Sequence, residues 1–386
     1  MSYIAVWGLI VSKQLSVMWM GLRGFPRIQG GVEIHAENIC PILVELGCDV
    51  HVITRSTYQH KDVGESWRGL HFHNLWSPRS KTLEAMLHSL VAVLYAGLIN
   101  RPDILHIQSM GPAFWTPLAR LLGLKVVMST HGIDYERDSW GRLAKIVLQA
   151  GEFFGMRCSN ASIVISKRLQ QHNFDKHHAQ SALVPNGVTL PELPSSIDSL
   201  QQFGLQPEKY VLLVSRLVAE KRHLDLIEAF RLAHLPDEWK LVIVGASDHP
   251  NAYTHSVLEA IEKTPNVLCT GFQSGLSLSE LFAHAHLFVL PSSHEGMPIA
   301  MLEALSYGLP VIASDISANV EIDLPEEQYF PMGDAVALAE KIRDFVGRPL
   351  SLEDREARRA WVAQRYDWND IAQRTLDVYQ GVMGKR

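Results

Sequence analysis

The sequence predicts an α/β protein of two doubly wound domains, each built on a parallel sheet. Its 386 residues are too many for one ordinary hydrophobic core and suit two. Short apolar strands alternate with helical patterns along the whole chain, which is typical of parallel sheets covered by helices. A stretch rich in Pro and Ser at residues 189–199 has no periodicity and predicts a linker. We therefore expect a first domain at residues 1–188, a second at 200–367 and a final helix at 368–386.

Composition limits the class of protein. Hydrophobic residues make up 47% of the chain and charged residues 20%, as in soluble globular proteins. The four cysteines, Cys40, Cys48, Cys158 and Cys269, lack C-x-x-C spacing and are interpreted as reduced packing residues. A net charge of −6 argues against a dedicated nucleic-acid binder, so no nucleic-acid partner is expected.

Charge is unevenly distributed between the two halves. Residues 1–190 carry 18 Lys+Arg against 13 Asp+Glu, and the remainder carries 17 against 28. Two interpretations stay open. The basic half serves an anionic partner, such as a phospholipid surface or a lipid-diphosphate acceptor, or the difference is ordinary surface variation.

Hydropathy predicts no transmembrane helix, because no run of eighteen uncharged apolar residues occurs. Residues 1–14 are apolar but lack a positive n-region and contain Lys13, so a signal peptide is not expected. We interpret residues 1–15 as an extension or an early start. A cytoplasmic location, peripheral on the inner face of the cell membrane, is the expectation.

The first half carries a series of short apolar strands with two notable segments between them. The polar loop at residues 55–69 is long for a connection at a sheet's carboxyl edge, and we assign it to the acceptor side. Residues 137–157 predict an amphipathic helix that lies on a membrane interface or packs on its own sheet. The predicted strands are residues 16–22, 49–53, 70–75, 104–107, 125–128, 162–165 and 182–184.

Paired glycines open the first helix of the chain. Gly30 and Gly31 precede a helical pattern of apolar residues. Such a pair lets the backbone approach a phosphate, and the helix N-terminus adds partial positive charge. The alternative is that the glycines only make the turn. The G-x-G-x-x-G fingerprint of dinucleotide binding is absent from the sequence.

The second half contains the segment with the most chemical information, residues 286–315. It predicts a strand, a polar loop, a helix with Pro298 in its first turn, and a second strand. Glu295 lies in the loop and Glu303 eight positions later on an otherwise apolar helix. A carboxylate facing the interior needs a partner, and the hydroxyls of a polyhydroxylated ligand supply one. The predicted strands of this half are residues 210–214, 240–244, 266–268, 287–290 and 311–313.

Basic residues and a histidine follow other strand ends. Arg216 and Lys221 come directly after strand 210–214, where two phosphates would need countercharge. His131 follows strand 125–128, where a parallel strand delivers residues to the cleft between the domains. No D-x-D pair stands beside a strand end, so no metal site is predicted.

These motifs resemble those of retaining glycosyltransferases of family 4, which have the two-domain GT-B fold. E-G-x-P with Glu303 resembles the family's E-x7-E signature, and the loop around Gly30 resembles the G-x-R-G-x-P…G-G-x-E loop of members in bacterial polysaccharide synthesis. S-R-L-V-A-E-K resembles the G-R-L-x-x-x-K-G loop, with Arg222 where glycine is common, so the turn is expected to differ. T-H-G-x-D and P-N-G-V resemble the histidine motif and the hinge. The final helix would cross back to the first domain.

The resemblance implies roles for individual residues. Glu295 would contact the donor sugar, Glu303 the ribose hydroxyls and His131 the sugar near its sixth carbon. Arg216 and Lys221 would grip the diphosphate. The predicted catalytic residues are His131, Arg216, Lys221 and Glu295. The predicted donor-binding residues are Gly30, Gly31, Asn186, Arg216, Lys221, Gly245, Phe272, Glu295, Gly296, Met297, Pro298 and Glu303.

The expected function is transfer of a hexose, with retention, from a UDP- or GDP-sugar to a glycan or lipid-diphosphate-glycan acceptor in cell-surface polysaccharide synthesis. No cofactor and no metal are expected, since the nucleotide sugar is a substrate. Two alternatives stay open: a GT-B epimerase acting on a nucleotide sugar, and a non-catalytic regulator that binds one. An intact set of His131, both glutamates and the Arg216/Lys221 pair argues against the regulator.

Overall fold

The computed structural model describes residues 14–59, 61–78, 84–136, 141–247 and 250–384. The chain forms two α/β domains, each around a mainly parallel sheet. Most of the predicted N-terminal extension lies outside the described residues. None of the helices in the described ranges is long and apolar enough to cross a bilayer. All four cysteines are free thiols.

The first domain contains an eight-stranded sheet in the order β3-β4-β2-β1-β5-β6-β7-β8. All neighbours are parallel except the pair β3 and β4. Each predicted strand is present, although the predicted strand 16–22 ends two residues early. The prediction missed β3, which lies inside the stretch that we expected to be a loop. The strands are β1 (Leu15–Met20), β2 (Cys48–Arg55), β3 (Ser66–Trp67), β4 (Leu70–Leu75), β5 (Ile104–Gln108), β6 (Val126–Thr130), β7 (Ala161–Val164) and β8 (Ala182–Leu183).

Strand β1 lies at the centre of this sheet and reverses the strand order. Val17 is in register with Val50 of β2 on one side and with Ile104 of β5 on the other. In an open parallel sheet, ligands bind beyond the carboxyl ends of the strands at such a switch point. The loops after β1, β2, β5 and β6 therefore form one wall of a crevice.

Helices cover both faces of this sheet. A π-helix, Ala96–Asn100, continues the second helix, and short 3₁₀ helices occur at Lys61–Val63 and Asp134–Glu136. The predicted amphipathic helix begins at Arg142, and residues 137–140 of that prediction lie outside the described part. The helices are α1 (Gly31–Glu45), α2 (Glu84–Tyr95), α3 (Met110–Ala113), α4 (Thr116–Leu121), α5 (Arg142–Cys158) and α6 (Lys167–His177).

The second domain contains a six-stranded parallel sheet in the order β11-β10-β9-β12-β13-β14. Its first helix, α7 (Asp198–Gln202), begins inside the predicted linker, and the two-residue strand β14 was not predicted. A 3₁₀ turn at Ala219–Lys221 follows β9, and another lies at Glu326–Gln328. The strands are β9 (Tyr210–Val214), β10 (Lys240–Val244), β11 (Val267–Gly271), β12 (Leu287–Leu290), β13 (Val311–Ser314) and β14 (Tyr329–Phe330). The other helices of this domain are α8 (His223–Ala233), α9 (Ala252–Lys263), α10 (Gly275–Ala283), α11 (Ile299–Ser306), α12 (Ser317–Val320), α13 (Ala335–Val346) and α14 (Leu352–Arg365), and the last helix of the described chain is α15 (Trp368–Gly384).

The chain crosses between the domains at two adjacent points. The backbone N–H of Val188 donates to the carbonyl of Tyr366 at 2.7 Å, so the outgoing and returning segments run side by side. A Cβ on Gly187 would lie 2.5 Å from the Trp368 ring, which explains the glycine of the P-N-G-V segment. Helix α15 then packs in the core of the first domain, where the Tyr379 hydroxyl lies 2.6 Å from His106 Nδ1.

Candidate active site

The two domains enclose a cleft of about 1060 Å³ at the carboxyl ends of their strands, and every predicted site residue lines it. Motifs separated by more than 250 positions in the sequence therefore meet in one place. Their individual roles stay predictions. The predicted residues that line the cleft are Gly30, Gly31, His131, Asn186, Arg216, Lys221, Gly245, Phe272, Glu295, Gly296, Met297, Pro298 and Glu303.

Two of the predicted site residues, the cation Lys221 and the carboxylate Glu295, form an ion pair in the cleft. Lys221 ends the 3₁₀ turn after β9, and Glu295 lies in the loop after β12. Lys221 Nζ donates to Glu295 Oε1 at 2.5 Å, and both side chains are largely buried. Arg216 lines the same region and is half-buried. An ammonium has three N–H donors, so Lys221 can hold Glu295 and still donate to a phosphate oxygen.

The turn after Lys221 contains Arg222 at the position where glycine is common in the resembled motif. Arg222 has φ 51° and ψ 45°, in the left-handed region, where glycine is the usual residue. Its Nε lies 2.5 Å from the Asp225 carboxylate. Arg222 thus holds a left-handed backbone without being glycine, and whether the turn differs from that of the family stays a prediction.

Glu303 lies one turn into α11 with its carboxylate at the cleft. The helix begins at Ile299, and Pro298 is its N-cap rather than a first-turn residue. The structure shows no hydrogen bond or ion pair to the Glu303 carboxylate from the described residues. Burial raises the pKa of this carboxyl from 4.5 to about 7. Part of the Glu303 population therefore holds a proton at neutral pH.

The loop before α11 contacts the first domain through its glycine. A Cβ on Gly296 would lie 1.7 Å from the carbonyl oxygen of His131, so no larger residue fits without separating the two segments. The Cβ of a substituted Gly132 would lie 3.8 Å from Gly296 Cα. The E-G and T-H-G motifs therefore pack directly on each other across the cleft.

His131 is held as a neutral imidazole. Its Nε2 lies 2.7 Å from Gln108 Oε1, so with this amide orientation Nε2 donates and Nδ1 is left as the acceptor. Burial lowers the pKa of His131 well below its ordinary value, and His35 and His106 lower it further. This side chain can accept a hydrogen bond from a sugar hydroxyl at neutral pH.

Asn186 of the hinge connects the two domains. Its Oδ1 accepts from His35 Nδ1 at 3.0 Å, and its Nδ2 donates to the Met297 carbonyl at 3.1 Å. Burial lowers the pKa of His35 to about 4, so the histidine remains a neutral donor. Asn186 thus ties helix α1 to the loop that carries Glu295.

The glycine loop of the first domain is fixed by an ion pair that the sequence analysis did not single out. Arg23 Nε lies 3.1 Å from Glu33 Oε1, and a Cβ on Gly30 would lie 2.1 Å from the Glu33 carboxylate. Burial alone would raise the pKa of Glu33, but the charge and hydrogen bonds of Arg23 lower it below its ordinary value. Arg23 and Glu33 belong to the quoted G-x-R-G…G-G-x-E pattern, which was the available signal.

Gly245 and Phe272 line the cleft directly after strands β10 and β11 of the second sheet. A Cβ on Gly245 would lie 1.8 Å from the Ser215 carbonyl oxygen. The Gly245 N–H donates to the Gly271 carbonyl at 2.9 Å. Phe272 is 43% exposed.

The described residues include no group of three or more His, Cys, Asp or Glu placed to hold a metal ion. Cationic side chains line both walls of the cleft, Arg216 and Lys221 from the second domain and Arg23, Arg27 and Arg55 from the first. The N-terminus of α1 at Gly30–Gly31 adds backbone N–H groups, and a Cβ on Gly31 would lie 3.9 Å from Ile299 at the start of α11. Anionic and polyhydroxylated groups therefore have partners on both walls of the cleft.

Comparison with known proteins identifies the family. Residues 29–191 match the family described as Glycosyltransferase Family 4, and residues 197–368 match Glycosyl transferases group 1. The chain belongs to glycosyltransferase family 4. This glycosyltransferase is 25% identical over 386 aligned residues to an uncharacterized glycosyltransferase of Methanocaldococcus jannaschii, covering 93% of this chain and 96% of the relative.

Two further similarities bear on fold and chemistry. The chain is 28% identical over 309 residues to the GDP-mannose:cellobiosyl-diphosphopolyprenol alpha-mannosyltransferase of Xanthomonas campestris, covering 76% of this chain and 78% of the relative. The structure of Anabaena HepE in complex with UDP-glucose superimposes with a TM-score of 0.77 at 16% identity, covering 95% of this chain and 100% of that one. The predicted GT-B fold of two parallel-sheet domains is thus confirmed.

Proposed function

We propose that this glycosyltransferase moves a hexose from a UDP- or GDP-sugar to a glycan or lipid-diphosphate-glycan acceptor, with retention of configuration and without a metal ion. The observation that carries the proposal is that cationic side chains and acceptors for hydroxyl groups lie in the same cleft. Lys221 and Arg216 supply positive charge, while Glu295, Glu303 and neutral His131 supply acceptors for hydroxyl groups. The Xanthomonas relative is named for GDP-mannose and HepE was solved with UDP-glucose, which supports both donor classes.

In this mechanism the bond between the anomeric carbon and the diphosphate oxygen breaks, leaving an oxocarbenium-like sugar and a growing negative charge on the leaving group. Arg216, Lys221 and the N–H groups of the Gly30–Gly31 loop stabilise that charge. Glu295 and His131 orient the sugar ring. Attack by the acceptor hydroxyl on the same face from which the diphosphate leaves, with its proton passing to the departing diphosphate oxygen, would retain the configuration.

The test begins with a thermal-shift screen of UDP- and GDP-sugars, because a donor that binds the folded state raises the melting temperature. Slow hydrolysis of the best binder is then followed with and without EDTA, and the anomer first formed is read by proton NMR. We expect hydrolysis that survives EDTA and releases the retained anomer. A strict requirement for Mg²⁺ or Mn²⁺ would contradict the roles of Arg216 and Lys221.

The same assay separates the two alternative functions. Interconversion of the nucleotide sugar without an acceptor would identify an epimerase. Tight binding with neither hydrolysis nor transfer to any acceptor would identify a regulator.

The outer face of α5 supports peripheral docking on an anionic membrane at the cytoplasmic surface. Leu143 and Ile146 are exposed on this helix, together with Phe153, and Arg142 and Arg157 lie at its ends. Exposed apolar side chains flanked by basic ones suit an anionic bilayer, where each basic residue near the surface adds about 1 kcal/mol.

A matched pair of substitutions tests this docking. Leu143→Glu should weaken co-sedimentation with anionic liposomes, while Leu352→Glu, in the second domain, should not, since the two leucines are 73% and 74% exposed. Binding of wild type should fall as salt rises. Equal and poor binding to neutral and anionic vesicles at low salt would show that α5 serves only the fold.

A further inference from the structure

A polar cluster lies in the cleft at the carboxyl end of β2, within the first domain. Arg55 ends β2, Tyr58 lies in the following turn, and Glu84 begins α2. Arg55 Nη1 donates to Glu84 Oε1 at 3.1 Å, and the Tyr58 hydroxyl donates to Glu84 Oε2 at 3.2 Å. Arg55 is 9% exposed and Glu84 6%, yet all three side chains line the cleft.

The cluster leaves a buried donor unsatisfied. Arg55 Nε has no hydrogen-bond partner in the described structure, although a buried guanidinium N–H without one costs on the order of 1–3 kcal/mol. Burial and the Glu84 carboxylate raise the pKa of Tyr58, so its hydroxyl stays a donor. Nε itself is buried, so a ligand in the cleft would meet the guanidinium through its terminal N–H groups.

The position of the cluster separates it from the reacting atoms. Three strand spacings lie between β2 and β6, the strand that ends beside His131, since the order is β2-β1-β5-β6. At about 4.8 Å per spacing, the two strand ends are about 14 Å apart. Arg55 and Glu84 are therefore too far from the transferred sugar to take part in bond breaking, and they face a more distant part of the acceptor.

The charge of the cluster selects the kind of group that fits there. Glu84 already neutralises Arg55, and a phosphate dianion placed beside them would be repelled by the Glu84 carboxylate. A neutral diol meets both needs, because one hydroxyl accepts from a terminal N–H of the Arg55 guanidinium and its neighbour donates to a Glu84 oxygen.

We propose that Arg55, Tyr58 and Glu84 form a subsite for a neutral sugar ring of the acceptor, with vicinal hydroxyls bridging Arg55 and Glu84. This inference rests on the proposed transfer from a nucleotide sugar. It makes the acceptor end of the cleft selective for a glycan residue rather than for a phosphate.

The test uses the full-length enzyme with a panel of methyl and octyl hexopyranosides and, as anionic competitors, phenyl phosphate and a short polyprenyl phosphate. Binding is measured by saturation-transfer NMR and transfer by product formation from the donor found in the thermal-shift screen. We expect glycosides to bind and accept sugar, and phosphates to do neither at this subsite. Glu84→Gln should raise the acceptor KM roughly tenfold, the loss expected for a hydrogen bond to a charged group, with a much smaller effect on the donor KM.

Tyr58→Phe and Tyr95→Phe form the matched control. Tyr58→Phe removes the hydrogen bond that holds the Glu84 carboxylate in place and should raise the acceptor KM. Tyr95 lies on α2, the helix that begins with Glu84. Its hydroxyl is hydrogen-bonded to His73 Nδ1 at 2.9 Å outside the cleft, so its loss should change neither the acceptor KM nor the donor KM.

Three results would overturn the subsite. One is an acceptor KM that rises equally in both tyrosine variants, and another is an unchanged KM with a lowered melting temperature in Glu84→Gln and Tyr58→Phe. The third is transfer only to the phosphorylated acceptors. Failure of the proposed function is distinct, because then no nucleotide sugar would be bound or hydrolysed by wild type, whereas glycoside binding by NMR would still test the subsite.

Discussion

The protonation of Glu303 makes both stability and donor binding depend on pH. Its pKa of about 7 in the folded protein, against 4.5 for the free side chain, means that the folded state holds a proton which the unfolded state has lost. The stabilisation from this proton is fully present below pH 4.5 and is lost as pH rises through 7. A shift of this size corresponds to at most about 3.5 kcal/mol, since one pKa unit is about 1.4 kcal/mol.

Glu303→Gln removes this loss, because the amide stays neutral at every pH. The ligand-free variant should therefore melt several degrees above wild type at pH 8 and close to it at pH 5, at about 2–4 °C per kcal/mol for a domain of this size. Scanning fluorimetry of both proteins from pH 5 to 8 measures the difference. A wild-type melting temperature at pH 8 equal to or above that of the variant would refute the reasoning.

The nucleotide sugar should respond in the opposite sense. If the carboxylate accepts two ribose hydroxyls, donor affinity in wild type rises with pH through 7, and Glu303→Gln binds more weakly at pH 8 and without this dependence. Glu37→Gln is the control, because burial also raises the pKa of Glu37 but this side chain lies on the opposite wall of the cleft. Calorimetry that shows equal donor affinity for wild type and Glu303→Gln at pH 8 would exclude the ribose role.

Two further substitutions test the site. Lys221→Ala should slow transfer roughly a thousandfold, because a unit charge about 4 Å from the departing phosphate is worth on the order of 4 kcal/mol at an effective dielectric near 20. Its melting temperature should fall as well, since the buried Glu295 carboxylate loses its partner. Lys209→Ala, which removes a half-buried lysine paired with Glu238 outside the cleft, should leave the rate unchanged, and a rate within about threefold of wild type in Lys221→Ala would move the diphosphate contact elsewhere. Gly296→Ala should abolish donor hydrolysis, since its Cβ would meet the His131 carbonyl oxygen at 1.7 Å. Gly381→Ala on α15 is the control, because its Cβ would have no atom within 4 Å. Full activity in Gly296→Ala would mean that the two motifs separate freely.

The sequence was sufficient for the parts of the fold and site that rest on local patterns. The strands of both sheets and helix α11 follow from apolar runs of adequate length, while β3 and β14 have two residues each and show no periodicity. The predicted residues gather in one cleft because their motifs follow strands whose carboxyl ends share an edge.

The supporting contacts could not be predicted, because they join distant parts of the chain. Asn186 meets His35 across 151 positions and Met297 across 111, and nothing local marks either pairing. Arg222 shows the opposite case, in which a local feature of the sequence does not fix the backbone conformation. The glycine that is common at this position predicted a different turn here, and the structure shows only that Arg222 pairs with Asp225 and has a left-handed backbone, which costs about 1–2 kcal/mol outside glycine.

The two carboxylates that the donor would contact are neutralised by different means in the ligand-free enzyme. Glu295 has the ammonium of Lys221 at 2.5 Å, whereas Glu303 has no partner in the described residues and instead holds a proton near neutral pH. A donor can share Lys221 with Glu295 without changing the charge of either group. It must expel the proton from Glu303 to use both carboxylate oxygens. Donor binding should therefore release protons through Glu303, and a variant that lacks this carboxyl should lose the proton release while keeping the Lys221–Glu295 pair.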